Sequence, residues 1–198
     1  MKTNDNMALE LQAAQEAEAA GVRHLALFHW LHAFLIASNA EREVLSQKKS
    51  VTVLPWVFDR TPVAFLACFT KKEGDYALPL KQGVNRLGTS LMADHTIPSA
   101  VHLLEERQWL LIHGIEGRTF VAGDRSSSVS VLHRRDSQVL ASAPSLATMR
   151  LATPRTEIER SGDVLYPLSD GDVLVTFYGA FVFVLNDHVE ARKDDDVE

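Results

Sequence analysis

Two histidines in the N-terminal part of the chain have a spacing that could serve metal binding. His29 and His32 are three residues apart within an apolar stretch, so a helix would place both imidazole rings on one face. Protein zinc sites use three or four ligands at characteristic spacings. Neither an HExxH motif nor a carboxylate at a matching distance accompanies the pair. We therefore interpret both residues as core or interface histidines, and we expect no metal and no cofactor.

The sequence also lacks the motifs that commonly position a catalytic nucleophile or a nucleotide phosphate. It contains no GxSxG elbow, no P-loop, no GxGxxG and no CxxC. A small hydrolase built from His102 with Asp94 or Ser99 is the enzymatic arrangement that remains open, although no fixed spacing supports it. We expect a protein that is not an enzyme.

Charge is unevenly distributed along the 198 residues. The net charge is −6, and residues 1–20 and 190–198 each contribute −3. Residues 118–160 contain seven arginines and four acidic residues, which gives +3. Nucleic-acid binding generally requires a larger basic surface, so no nucleic-acid partner is expected. The arginine-rich segment is interpreted either as a solvated loop or as a source of guanidinium groups for a phosphate.

The first 50 residues predict a helical hairpin, which Gly21 divides into two helices. The second helix is apolar around most of its circumference, so it is a candidate surface for dimerisation or for a second partner. Its apolar stretch is shorter than the ~20 residues that span a bilayer, and no secretion signal precedes it. Together with the single cysteine, Cys68, interpreted as a buried thiol in a strand, this favours a cytoplasmic protein.

After residue 50 the pattern changes to short β-branched and aromatic runs separated by turns. Twelve candidate strands lie between Val63 and Leu185, and Asp170-Gly171 is a strong turn signal. The fold class is therefore predicted to be α+β and mainly β, with a β-sandwich over residues 60–189. Residues 124–163 are predicted to be a long insertion, and residues 190–198 an acidic tail.

Five ordered segments of this β half carry a recognisable pattern: Gly83–Thr89, Ser99–His102, Trp109–Ile112, Gly117–Gly123 and Leu168–Leu174. Phe181-Val182-Phe183 closes the series. Together these segments resemble the forkhead-associated (FHA) domain, a β-sandwich whose loops at one end bind phosphothreonine. In order, they are similar to the family's strand ending in Gly-Arg, its Ser-Arg-x-His, its strand with a central aromatic, its Asn-Gly-Thr-Phe-Val-Asn-Gly and its late Leu-x-Asp-Gly-Asp.

The resemblance implies a site that is altered at its main ligand-binding positions. The family's phosphate-binding arginine after Gly88 is Thr89 here, its Ser-Arg is Ser99-Ala100, and its ligand-holding asparagine is Gly117. The ligand-binding residues implied by the resemblance are Thr89, Ser99, Arg118 and Thr119. The residues implied to be structural are Gly88, His102, Asp170, Gly171 and Asp172.

The resulting hypothesis is a non-enzymatic adaptor or scaffold whose FHA-like domain binds a protein partner without needing phosphothreonine. Such degenerate domains serve in bacterial signalling or secretion assemblies, as the resemblance implies. The alternative is a reader of phosphorylated peptides with a rearranged pocket. In that case Arg118, or an arginine of the insertion, would supply the missing positive charge.

Overall fold

Three helices precede twelve short strands in the part of the chain that the structure describes. The structure is a computed structural model, and it describes residues 2–48, 51–55, 61–69, 75–88, 95–96, 108–113, 119–123, 130–133, 150–151, 164–176 and 179–187. The helices are α1 (Lys2–Ala19), α2 (Arg23–Ile36) and α3 (Asn39–Lys48). The strands are β1 (Val51–Val53), β2 (Ala64–Cys68), β3 (Asp75–Leu80), β4 (Gly83–Gly88), β5 (His95–Thr96), β6 (Gln108–His113), β7 (Thr119–Gly123), β8 (Ser130–His133), β9 (Arg150–Leu151), β10 (Val164–Leu168), β11 (Val173–Thr176) and β12 (Gly179–Leu185).

The turn between α1 and α2 forms at Gly21, as the sequence predicts. Gly21 has a φ of +74°, a conformation that favours glycine. The N–H of Val22 donates to the carbonyl of Ala17 at 2.9 Å, and that of Gly21 donates to the carbonyl of Glu18 at 2.9 Å. These two bonds form a Schellman motif, which satisfies the last carbonyl groups of α1.

The predicted second helix is in fact two helices, because a capping box interrupts it. Both the N–H and the hydroxyl of Ser38 donate to the carboxylate of Glu41, at 2.8 Å and 2.7 Å. Such a Ser-x-x-Glu pattern marks a helix start, and α3 begins directly after Ser38. The Arg42 guanidinium donates to the carbonyls of Phe34 and Leu35 at 2.8 Å and 2.9 Å, which satisfies the end of α2.

The described strands form two sheets that enclose a shared apolar core. The seven-stranded sheet has the order β1-β3-β2-β12-β11-β8-β9, and the five-stranded sheet has the order β10-β7-β6-β4-β5. The core between them includes Leu66, Leu78, Val121, Phe181 and Phe183. The predicted α+β fold class, with helices before a β-sandwich, is confirmed.

Ten of the twelve predicted strands coincide with observed strands. The other two, 101–104 and 139–141, lie outside the described residues. The sequence analysis missed β1 and β5, which have only three and two residues. Strands this short carry too few residues to establish a clear alternating pattern.

The seven-stranded sheet is buried on both faces. Along β2, Leu66 and Cys68 belong to the core of the sandwich, whereas Phe65 and Ala67 belong to a second core against the helices. This two-sided burial explains why β2 and β12 are nearly continuous apolar runs. It also confirms that Cys68 is a buried thiol in a strand.

Helix α2 covers the outer face of the seven-stranded sheet. Ten of its fourteen residues are buried, and Leu27, Leu31 and Phe34 join Val182 and Val184 of β12 in the second core. Helix α1 packs against α2, and its Ala14 belongs to the same second core. The apolar circumference of α2, which suggested a docking surface in the sequence, is therefore used within the chain. The molecule has three layers: helices, seven-stranded sheet and five-stranded sheet.

Candidate functional site

The turn between β10 and β11 crosses from one sheet to the other, and its two aspartates hold it in place. Asp172 is buried, and its carboxylate accepts the N–H of Ser169 at 2.7 Å. Gly171 between them has a φ of +81°, which a side chain would strain. Its N–H donates to the carbonyl of Phe183 in β12 at 2.9 Å. Asp170, Gly171 and Asp172 thus lie where the two sheets are joined.

Asp170 connects this turn to two further elements. One carboxylate oxygen accepts the backbone N–H of Leu185 in β12 at 2.8 Å. The other lies 3.1 Å from Nε2 of His32 in α2. One carboxylate therefore connects the helical layer, the seven-stranded sheet and the crossing turn.

Two of the three histidines of α2, His29 and His32, each pair with a carboxylate of another element. Nδ1 of His29 lies 2.7 Å from a carboxylate oxygen of Glu10 in α1, and His32 pairs with Asp170. Among the described residues, no group of three or more metal-ligating side chains could hold an ion. The observed contacts make these residues interface histidines that join α2 to α1 and to the sandwich.

The environment of His32 raises its pKa above the ordinary value of 6.5. Burial by itself would lower the pKa, because it disfavours the charged imidazolium. The hydrogen bond and the negative charge of Asp170 oppose this effect, and the charges of Glu10 and Asp187 add to them. The net result is a histidine that retains its proton to a higher pH in the folded protein than in the unfolded chain.

We expect the stability that His32 contributes to decrease as the pH rises. Because its folded pKa is raised, the contribution is complete below the unfolded pKa and is lost as the pH passes through the folded pKa. Urea unfolding of the wild type and of His32→Gln between about pH 5.5 and about pH 8.5 measures this. The difference between the two free energies of unfolding should decrease towards high pH. A difference that stays constant or increases would contradict the assignment of the charged pair.

The strand register places Gly88 and Thr119 at opposite ends of the five-stranded sheet. In the five-stranded sheet, Gly83 of β4 pairs with His113, His113 pairs with Thr119, and Thr119 pairs with Leu168. Gly88, the last residue of β4, pairs instead with Gln108. We call the two edges defined by these rows the Thr119 end and the Gly88 end of the sandwich. Because a strand rises ~3.3 Å per residue, they are separated by about 17 Å along β4.

Of the four predicted ligand-binding residues, the structure describes only Thr119. Thr89, Ser99 and Arg118, and also the structural residue His102, lie outside the described residues. Thr119 is only 2% exposed. It is the first residue of β7 and lies in the same row as His113 and Gly83. Gly88, which precedes Thr89, lies at the opposite end and pairs with Thr96 and Gln108. The crossing turn with Asp170 and Asp172 follows Leu168, so it lies at the Thr119 end.

The end of β7 and the start of β8 both lie towards the Gly88 end. β7 runs from Thr119 to Gly123, so it ends at the Gly88 end. In the other sheet, Val173 follows the crossing turn, and Ser130 pairs with Val175 further along β11. The first residue of β8 therefore lies towards the Gly88 end as well. Arg125 is in the segment that joins these two strand ends.

Two solved structures are among those to which this chain is similar, both at low sequence identity. The FHA domain of yeast Dun1, solved with a doubly phosphorylated peptide from Rad53, is 12% identical, with a TM-score of 0.37 over 73% of this chain and 89% of that one. EmbR from Mycobacterium tuberculosis, solved with a low-affinity phosphopeptide, is 16% identical, with a TM-score of 0.37 over 92% of this chain. This chain spans 42% of the EmbR chain. No protein-family model and no curated protein matches the sequence.

A buried asparagine, Asn85, supports another crossing between the sheets, and the sequence analysis missed it. The Asn85 side chain accepts the N–H of Lys81 at 2.9 Å and donates to the carbonyl of Lys81 at 2.8 Å. It thereby closes the turn from β3 to β4, in which Gly83 has a φ of +88°. A polar residue at an inward position of a strand beside a glycine turn is the signal that could have revealed it.

None of the helices in the described part of the chain is long and apolar enough to cross a membrane.

Proposed function

We propose that the chain is a non-enzymatic protein-interaction module, of the adaptor or scaffold type, whose sandwich binds its partner without requiring phosphothreonine. The FHA-like sequence motifs and the two-sheet architecture support the module. The replacement of the family's arginine by Thr89 supports independence from phosphate. A place in a cytoplasmic signalling or secretion assembly of a bacterium is part of the same proposal.

The observation that carries this proposal is the separation of the Thr119 end from the Gly88 end. Hydrogen-bond donors must lie about 3 Å from a phosphate oxygen to bind it. Thr119 is level with Gly83 and not with Gly88, so β4 and β7 present their two motifs about 17 Å apart. This separation supports a sandwich in which Thr89 and Thr119 do not share one pocket. We therefore do not expect the Thr119 end to supply the positive charge that the family's arginine has and Thr89 lacks.

A second candidate function, a phosphothreonine reader, is favoured by where β7 ends and β8 begins. Gly123 and Ser130 both lie towards the Gly88 end, and the segment between them contains Arg125 and three consecutive serines. In this alternative Arg125, and not Arg118, supplies the guanidinium that Thr89 replaces in the family pattern. Ser99 would then remain a donor to the phosphate, as the resemblance implies.

Titration with peptide pools distinguishes the two functions. Fluorescence anisotropy would compare a degenerate phosphothreonine peptide pool with the same pool unphosphorylated, at low ionic strength because charge-assisted binding is weakened by salt. We expect no phosphate-dependent binding by the wild type. If such binding is found, the scaffold proposal is wrong, and the variants identify the pocket.

The variant pair Arg125→Ala and Arg118→Ala is matched in chemistry and differs in position. For a reader at the Gly88 end, Arg125→Ala should weaken binding at least tenfold, which corresponds to about 1.4 kcal/mol. Arg118→Ala should leave it within about twofold. Loss of binding only in Arg118→Ala would contradict the placement of the pocket at the Gly88 end.

A further inference from the structure

The carboxylate of Asp170 takes the place of a backbone acceptor near the end of β12. The neighbouring strand β11 begins at Val173, and just before it the N–H of Phe183 donates to the carbonyl of Asp172 at 2.8 Å. The N–H of Leu185 lies two residues further along β12, and it donates to a carboxylate oxygen of Asp170 at 2.8 Å. This N–H is therefore satisfied by a side chain of the crossing turn and not by a strand.

The same carboxylate also holds α2. Its other oxygen lies 3.1 Å from Nε2 of His32. The side chains of His32 and Asp170 are 15% and 32% exposed, so the contact is shielded from water but still accessible to protons. A hydrogen bond from a charged imidazolium to a carboxylate is stronger than one from a neutral imidazole. The strength of this contact therefore depends on the proton of His32.

Three carboxylates face His32, each from a different part of the chain: Glu10 of α1, Asp170 of the crossing turn and Asp187 just after β12. On α2 itself, His29 pairs with Glu10 at 2.7 Å. From α3, Arg42 donates to the carbonyls at the end of α2. Burial lowers the pKa of His32, but the hydrogen bond and charge of Asp170, with the other two charges, raise it overall.

The rest of the joint between the helices and the sandwich does not depend on this proton. Ten of the fourteen residues of α2 are buried, and most of them are apolar, so their packing does not titrate. The crossing turn is also held by backbone bonds, from the N–H of Gly171 to Phe183 and from the N–H of Phe183 to Asp172. Loss of the proton should therefore weaken the contacts of Asp170 while the helices stay packed on the sheet.

We propose that His32, Asp170 and the N–H of Leu185 form a pH-sensitive latch between the helical layer and the crossing turn. While His32 carries its proton, the latch holds the turn and the end of β12 to α2. When His32 loses the proton, Asp170 separates from α2 in brief local openings, and water reaches the N–H of Leu185. The crossing turn lies at the Thr119 end of the sandwich, so pH acts at that end. This inference goes beyond the proposed function and does not depend on it.

Amide hydrogen exchange of the full chain, followed by NMR between about pH 5.5 and about pH 8.5, tests the latch. Each rate is divided by the intrinsic rate of an unstructured peptide at the same pH. Protection of the Leu185 amide should be highest below the ordinary histidine pKa of 6.5 and should fall as the pH passes through the raised pKa of His32. The fall should be at least about threefold, and its midpoint should coincide with the titration of the His32 ring protons.

The Phe183 amide is the internal reference, because its acceptor is a backbone carbonyl of the same turn. It should be more strongly protected than the Leu185 amide. Low concentrations of guanidinium should accelerate exchange at Phe183, because global unfolding exposes a large surface. They should leave exchange at Leu185 unchanged, because opening of the latch exposes little surface.

His32→Gln and His29→Gln are matched variants, with the same replacement three residues apart on α2. Glutamine at position 32 offers Asp170 a donor that does not titrate, so protection of Leu185 should become independent of pH. His29→Gln should keep the pH dependence of the wild type. Asp170→Asn keeps an acceptor for Leu185 but removes the charge, so it should also abolish the pH dependence. It provides the decisive measurement if His32→Gln fails to fold.

Three results would overturn the proposal. The first is a wild type in which protection of Leu185 does not change with pH. The second is exchange at Leu185 with the same rate and the same guanidinium dependence as at Phe183, because the turn would then open only by global unfolding. The third is a pH dependence that persists in both His32→Gln and Asp170→Asn, because another group would then be its source.

Discussion

Leu31→Ala should lower the free energy of unfolding of the whole chain by about 3 kcal/mol, within the ~2–5 kcal/mol observed for buried leucines. Leu31 is fully buried in α2, and it belongs to the core between the helices and the seven-stranded sheet. The substitution leaves a cavity at the joint between these layers. Guanidinium unfolding followed by far-UV circular dichroism and tryptophan fluorescence measures both layers.

The control for this prediction is Leu9→Ala. Leu9 is an exposed leucine of α1, so its replacement should change stability by less than about 0.5 kcal/mol. The midpoints from both probes should shift together in Leu31→Ala, because helices and sandwich share one core. If the helices unfold separately while the sandwich transition is unchanged, the three-layer interpretation is wrong and the helices form an independent unit.

Asp172→Ala should destabilise the protein by about 2–4 kcal/mol, because it removes a buried charged acceptor from the crossing turn. The Asp172 carboxylate accepts the N–H of Ser169 at 2.7 Å, and its side chain is almost completely buried. Without it, the Ser169 N–H loses this acceptor at the point where β10 passes to the other sheet. Chemical unfolding at about pH 7 measures the effect.

Asp172→Asn and Asp187→Ala separate the possible causes of that loss. Asparagine keeps an oxygen acceptor in nearly the same shape, so Asp172→Asn should recover part of the stability. Asp187 is an exposed aspartate just after β12, and Asp187→Ala should change stability by less than about 0.5 kcal/mol. A result in which Asp172→Ala is as mild as Asp187→Ala would show that the turn does not depend on this carboxylate.

Local sequence signals were sufficient for most elements of the fold. β-Branched alternation and turn residues located ten strands, and Gly21 located the turn between α1 and α2. The start of α3 was missed although its Ser38-x-x-Glu41 pattern is local. The uniform helix-forming composition on both sides concealed it, because propensity alone does not distinguish one long helix from two.

The candidate site was harder to predict, because its contacts join residues that are distant in sequence. His32 and Asp170 are 138 positions apart, and no spacing rule connects them. The assignment of Thr119 to the same pocket as Thr89 depended on motif order, which does not specify at which end of the sandwich a strand begins. Only the pairing of β4 with β6, and of β6 with β7, showed that Gly88 and Thr119 lie at opposite ends.

The amino-acid pattern alone was enough to define an α+β chain with helices first, a β-sandwich after them and a buried thiol at Cys68. These features depend on periodicity and turn chemistry, which are properties of neighbouring residues. The tertiary structure decided which apolar faces are covered, because burial depends on the layer that packs against each face. It placed α2 against the seven-stranded sheet and left Val84 exposed on the other sheet.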